Sequence, residues 1–272
     1  MPEILQIQAR RATGHALDWL QITKQGRVLS VFERACNFVN ENGQLCAVVT
    51  PSAAVGPFAI ELGQDINLLD YIDIQTKVVL QQERLTVGQL TINLTKVMLW
   101  ETIPHWQDAA THLAHYLPII DQLLERKAEY LQVSLGEFAE LKAAVRYLAG
   151  RGIGLTPAGD DFLMGMIYAL WITRPPAEAA AMAQFIYKEA APRTTTLSGR
   201  WLQAAKSGEA HISWHNLTLA LAQHNPAAVF EALQTILNIG HSSGADALSG
   251  FVQTARAILS NHSAAEFWQI NN

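Results

Sequence analysis

Between residues 26 and 100 the apolar positions come in short, β-branched runs, RVLSVF, LCAVVT, FAIEL, KVVL, RLTVG and QLTINLTKVMLW, separated by turn signals. Runs of this kind predict strands, and the gaps between them leave little room for a helix of ordinary length. Asn42-Gly43, within NENGQ between two such runs, predicts a hairpin. Past Ile103-Pro104 the texture changes to Ala-, Leu- and Gln-rich segments with helical spacing. They predict helices over 105–131, 135–149, the run that follows 157, 177–190, 195–206, 213–224, 226–237, 243–259 and 264–270. The expected architecture is α+β with segregated elements: a mostly antiparallel β domain over 1–103, then an all-α domain over 104–272.

Composition narrows the function classes. Half of the 272 residues are hydrophobic and 16% are charged, as in a globular chain with a full core. A formal charge of -5, with no Lys/Arg-rich run, gives no footprint for nucleic acid or an anionic membrane. The longest apolar run, 162–172, is about half of the ~20 residues a membrane span needs. The first twenty residues lack a basic-then-apolar signal layout, so a cytoplasmic location is expected. Cys36 and Cys46, the only cysteines, are too few for a disulfide framework or a thiolate zinc site.

The chemistry concentrates in glycine loops. GRGIGLTPAGDD, residues 150–161, precedes the almost wholly apolar FLMGMIYALWI. Thr156 suits a helix N-cap and Pro157 the first helical position, with Asp160 and Asp161 in the first turn, where the helix dipole favours negative charge. Capping leaves Gly150, Gly152, Gly154 and Gly159 unexplained, since each costs backbone entropy. The spacing matches neither a dinucleotide fingerprint nor a P-loop. Two carboxylates also repel a bare phosphate, so the loop suits a ligand needing acceptors as well as donors: an amide, a sugar hydroxyl or an anion bridged by Mg²⁺.

A second stretch, NIGHSSGADALSGF at 238–251, follows the same plan. With Ile153-Gly154 laid on Ile239-Gly240, both read I-G-x-[Thr/Ser]-x-x-x-Asp. Thr156 then meets Ser242 and Asp160 meets Asp246. Two copies at equal spacing point to one site made by facing helix N-termini, with Gly240, Ser242, Ser243 and Gly244 among the binding residues. His241, between Gly240 and two serines, is the histidine best placed for proton transfer, with a structural hydrogen-bonding role equally open. A third stretch, PRTTTLSGRW at 192–201, offers Arg193 for a carboxylate or phosphate and Thr194, Thr195 and Ser198 as hydroxyl donors at a helix start. Capping and a solvated arginine are the bland alternative.

Together GxGLTPxGDDFLxG, RTTxxS and GHSSGADxLxGF resemble a bacterial family of unassigned domain function. Its best-known members are the small third subunit of the oxamate carbamoyltransferase of anaerobic allantoin degradation. The likeness extends to GRVLSVFERACNFVNENGQLCAVV in the β-rich part. The resemblance implies an enzyme subunit that works with larger partner subunits to exchange oxalurate and phosphate for oxamate and carbamoyl phosphate. It marks Gly154, Thr156, Pro157, Asp160, Asp161, Arg193, Thr194, Thr195, Ser198, Gly240, His241, Ser242, Gly244 and Asp246 as motif positions without giving them roles.

Three functions compete. In a transferase subunit, Arg193 and the helix N-termini bind the anion, Asp160 or Asp161 orients the amide, and His241 or an aspartate such as Asp246 moves a proton. In a stand-alone hydrolase acting on a phosphate- or ribose-bearing molecule, Asp160, Asp161 and Asp246 hold Mg²⁺. In a non-catalytic partner-binding module the motifs only cap helices.

Overall fold

The computed structural model describes residues 4–53, 55–81 and 83–260. The chain divides into two compact units, residues 1–102 and 103–272. No helix among the described residues is long and apolar enough to cross a membrane.

The first unit is built from β1 (Leu5–Thr13), α1 (Gly14–Ile22), β2 (Gly26–Val31), β3 (Ala35–Asn40), β4 (Leu45–Val49) and β5 (Ala59–Leu62). Then come β6 (Lys77–Gln81), β7 (Arg84–Val87), β8 (Leu90–Asn93) and β9 (Met98–Trp100). The strand order is β5-β4-β3-β2-β6-β7-β8-β1-β9, and a further β1–β5 pairing closes the first eight of these into a barrel. Among the described residues six strand pairs are antiparallel and three, β1–β8, β1–β9 and β4–β5, are parallel. The barrel is therefore mixed rather than simply antiparallel. Two of its three parallel pairs arise because β1, read in the sequence only as a leading segment, inserts between β8 and β5 and also pairs with β9.

Local chemistry explains the turns. Asn40 Oδ1 accepts the N–H groups of Asn42 (3.0 Å) and Gln44 (2.9 Å), while Gly43 takes φ 69°, so the Asn-Gly hairpin forms as expected between β3 and β4. Thr13 caps α1 by accepting Ala16 N–H at 3.2 Å. That helix buries Trp19 beside Phe38, with its indole N–H donating to Gln44 O at 2.9 Å. Where β1 meets β5, Arg11 grips the buried Glu61 with two hydrogen bonds, Nε at 2.6 Å and Nη2 at 2.9 Å. The pair neutralises a carboxylate that would otherwise be stranded inside the seam.

The second unit is helical: α2 (Ala110–Glu125), α3 (Leu141–Leu148), α4 (Ala158–Thr173), α5 (Pro176–Ala190), α6 (Thr196–Lys206), α7 (Ile212–Ala222), α8 (Pro226–Leu237) and α9 (Ser243–Leu259). Helix α2 stops six residues before the end of its expected run. Leu131, in the segment beyond it, bonds through its main chain to α9 instead. The stretch expected to open the next helix is a single 3₁₀ turn, Leu135–Glu137, and α3 starts only at Leu141. The expected helix over 264–270 lies outside the described residues. Helix α4 is apolar all round after its first turn and forms the centre of the unit. Around it, Trp106, Tyr168, Trp214 and Phe251 make a chain of ring contacts, centroids 4.8–6.5 Å apart.

Candidate functional site

The two glycine loops meet. Thr156 Oγ1 and Ser243 Oγ lie 3.1 Å apart, so the hydroxyl group of one motif hydrogen-bonds that of the other. The helices behind them, α4 and α9, cross with their backbones in contact. A Cβ on Gly165 would fall 1.8 Å from Ala247 O, and one on Gly250 would fall 2.0 Å from Phe162 O. Only glycine permits that approach. Each helix start is pinned in the same way to the helix before it: a Cβ on Gly159 would meet Leu148 O of α3 at 2.0 Å, and one on Gly244 would meet Ile236 O of α8 at 1.7 Å.

These contacts correct the register of the repeat. Residue n of α4 corresponds to n + 85 in α9: the N-caps Pro157 and Ser242, then Gly159 and Gly244, Asp161 and Asp246, and Gly165 and Gly250. Asp161, not Asp160, is the counterpart of Asp246. The loops themselves differ in length, so matching their Ile-Gly pairs shifts the helices by one. The capping expectation is corrected with it. Pro157 is the N-cap of α4, and neither Pro157 nor Ser242 makes a side-chain capping bond. Thr156 faces the other motif instead.

The three aspartates have different surroundings. Asp160 ties two loops together: Oδ1 accepts Gly150 N–H at 2.9 Å and Oδ2 accepts the Thr194 hydroxyl. Gly150, at φ 71°, sits directly against Arg193 O, where a Cβ would come within 2.2 Å. Thr195 completes this join, donating to Leu155 O at 2.6 Å and accepting Ser198 N–H as the N-cap of α6. Asp246 Oδ1 accepts Leu131 N–H at 2.5 Å, strapping the segment after α2 onto α9, and Ser249 one turn on donates to Leu131 O at 3.1 Å. One oxygen each of Asp161 and Asp246, Oδ2 in both, is buried with no hydrogen-bond partner. The residues are 6% and 1% exposed, so bulk solvent does not replace the missing protein donors.

Electrostatics follow from that burial. Desolvation holds the Asp161 carboxyl well above its usual range, and the nearby Asp246 and Asp160 charges push it further, against the hydroxyls of Ser243 and Thr156. Burial also raises Asp246, opposed by Leu131 N–H and the Ser242 hydroxyl. It raises Asp160 against the donors on Thr194 and Gly150.

Other expected site residues lie elsewhere. Arg193 is exposed and turns back to donate to the Glu189 carbonyl of its own helix end, which explains why it does not face the carboxylates. His241 projects from its loop, side chain 88% exposed, with Nε2 3.3 Å from Glu129 Oε2. Gly154 and Gly240 take φ 93° and 61° as loop hinges, and a Cβ on Gly154 would meet open space. The Ser198 hydroxyl is buried without a hydrogen-bond partner. Among the described residues no three His, Cys, Asp or Glu side chains gather as a metal-holding group, so Asp160, Asp161 and Asp246 do not form one ligand set. A cleft of about 750 Å³ opens near the far part of α9, lined by Glu125, Gln253 and Arg256 among others, beyond the Leu131 strap.

Sequence reasoning missed the Leu131 strap and Ser249. A signal was present: Asp246 and Ser249 are spaced three apart on an otherwise apolar helix face, and such a pair needs a partner from another segment.

A β-barrel unit, and a helical unit with a duplicated loop–helix device and two carboxyls that each leave one buried oxygen unpartnered, define a two-unit α+β protein. Residues 7–99 match the family model of the AllH N-terminal domain, and residues 148–255 match the model described as oxamate carbamoyltransferase subunit AllH. The two matches cover most of the chain, which belongs to the AllH family. No solved structure matches it.

Proposed function

We propose that this chain is a subunit of an oxamate carbamoyltransferase-type enzyme, and that its helical unit holds a small amide- or carbamoyl-bearing substrate at the paired starts of α4 and α9. The family description supports the enzyme class. The observation that carries the site is the convergence of Thr156 and Ser243 at 3.1 Å, in the two loops that lead to the unpartnered, buried oxygens of Asp161 and Asp246. Orphaned buried acceptors are costly, and a ligand supplying donors would repay that cost on binding.

In this reading Thr156 and Ser243 orient the substrate, and Asp161 and Asp246 accept its N–H groups. A carboxyl whose pKa is raised by burial holds its proton more readily than an exposed one, which makes Asp161 the preferred proton carrier over the solvent-facing His241. Thr194, Thr195 and Asp160 fasten the loop that presents Thr156. Larger partner subunits would supply the phosphate-binding cations, because Arg193 turns away from the carboxylates.

The test is reconstitution with the larger subunits and an assay of carbamoyl transfer. Asp161→Ala and Asp246→Ala should each lower kcat by at least ~100-fold, the range typical for loss of a proton-transfer or charge-orienting group. His241→Ala should cost less than about tenfold. Full activity in both aspartate variants would overturn the assignment.

A further inference from the structure

We infer that the Asp161–Asp246 pair is a receptor for the –NH2 end of the substrate, a primary amide or ureide nitrogen, and that no phosphate or carboxylate docks there. This deepens the reading above and rests on it, by naming which end of the ligand enters the helical unit.

The first support is the supply of acceptors. Two buried oxygens, one from each copy of the repeat, lack donors. They occupy equivalent places in helices related by the reciprocal Gly165 and Gly250 contacts. An –NH2 group carries two N–H donors, one for each of the two acceptors. A hydroxyl has one donor and would leave one oxygen unpaired.

The second support is the shortage of donors. A helix start attracts anions through free N–H groups, but here several of those groups are already taken. Gly159 N–H donates to Arg151 O at 2.8 Å, and the N–H groups of Asp160 and Asp161 both reach Pro157 O. In the other copy Gly244 N–H donates to Ile239 O at 3.1 Å and Asp246 N–H to Ser242 O at 2.9 Å. Two cationic side chains of the motif loops point elsewhere: Arg193 onto the Glu189 carbonyl and Arg151 over the Tyr147 ring at 4.2 Å. An anion placed at Asp161 and Asp246 would meet two carboxyl groups, which ionise less readily still beside it, and few donors.

The third support is the position of two hydroxyls. Thr156 and Ser243 are half-buried at the loop ends of the two helices, a few residues before the carboxyls. Each hydroxyl donates or accepts, so the pair can turn a donor towards the carbonyl oxygen next to the –NH2 group while the aspartates take its hydrogens. Such a layout reads an amide by both of its ends.

The experiment is equilibrium binding by calorimetry to the complex reconstituted with its larger subunits, using oxamate, oxalate and inorganic phosphate as probes. Oxalate keeps the size and the carboxylate of oxamate and replaces –NH2 by oxygen. Oxamate should bind at least tenfold more tightly than oxalate. Asp161→Asn and Asp246→Asn, isosteric changes checked for folding by thermal melting, should remove that preference and change phosphate affinity less than twofold. Equal binding of oxalate and oxamate, no binding of oxamate, or a parallel loss of phosphate affinity in the two variants would overturn the inference while carbamoyl transfer by the wild-type complex still upheld the broader function. A wild-type complex without carbamoyl transfer would overturn the broader function itself.

Discussion

Gly165 and Gly250 each lie against the backbone of the other's helix, so that a methyl group on either would come within about 2 Å of a carbonyl oxygen, Ala247 O or Phe162 O. Neither oxygen belongs to a flexible side chain that could move aside. Gly165→Ala and Gly250→Ala should therefore each cost ~3 kcal/mol or more in urea unfolding, the upper range for overpacking. Gly199→Ala, in the exposed-to-intermediate part of α6 with its nearest neighbour at 3.9 Å, should be neutral or stabilising by up to about 1 kcal/mol.

The seam between β1 and β5 gives a second expectation. Glu61 is 2% exposed and relies on Arg11, with Arg10 more distant at 4.0 Å. Arg11→Met should destabilise the barrel by about 3 kcal/mol, because it leaves a buried charge uncompensated, and adding Glu61→Gln should recover most of the loss. A double-mutant cycle by urea denaturation measures both.

Thr194 donates to Asp160, whose other oxygen takes Gly150 N–H. Thr194→Val keeps the shape and removes the donor, so about 1–3 kcal/mol of stability should be lost. Thr194→Ser should restore most of it. Near-equal melting temperatures for the Val and Ser variants would show that the hydroxyl carries little.

The raised carboxyl pKa values set the sign of a pH effect. For Asp160, Asp161 and Asp246 the folded state holds its proton more tightly than the unfolded chain, whose carboxyls titrate near 3.8. Their contribution to stability is greatest below that value and is lost as pH rises through the folded pKa values, by about 1.4 kcal/mol per pH unit for each extra proton held. In Asp161→Asn the decline in stability between acid and neutral pH should be visibly shallower than in the wild type. Equal slopes would mean that Asp161 ionises normally in the folded chain.

Much of this was legible in the sequence, for reasons that differ by element. The Asn42-Gly43 hairpin is local chemistry, and it formed where its residues predicted. The barrel closure is not local: LQIQARRAT has a weak alternation, and its partners lie some fifty to ninety residues away (Ala12↔Ile60, Leu5↔Leu90). The site was half readable. Glycines too many for capping marked both loops, and their convergence is real, but the pairing of Asp161 with Asp246 is fixed by backbone contacts at Gly159, Gly165, Gly244 and Gly250 that no motif alignment weighs. Arg193 misled because a guanidinium beside threonines looks like an anion grip until a free carbonyl at Glu189, four residues earlier, claims it.

The double allegiance of β1 has a consequence for how the chain comes to fold. Leu5 pairs with Leu90 and Thr13 with Trp100, yet both leave the ribosome long before those partners exist. Until residue 93 has been made the first strand has no complete parallel neighbour, and until residue 100 it lacks the second; before then only its β5 contacts at 60–62 are within reach. Such distant pairings place closure late in folding. The opening strand waits exposed during synthesis, and Arg10 and Arg11, charged and bulky in its second half, are residues of the kind that discourage pairing with another chain's edge.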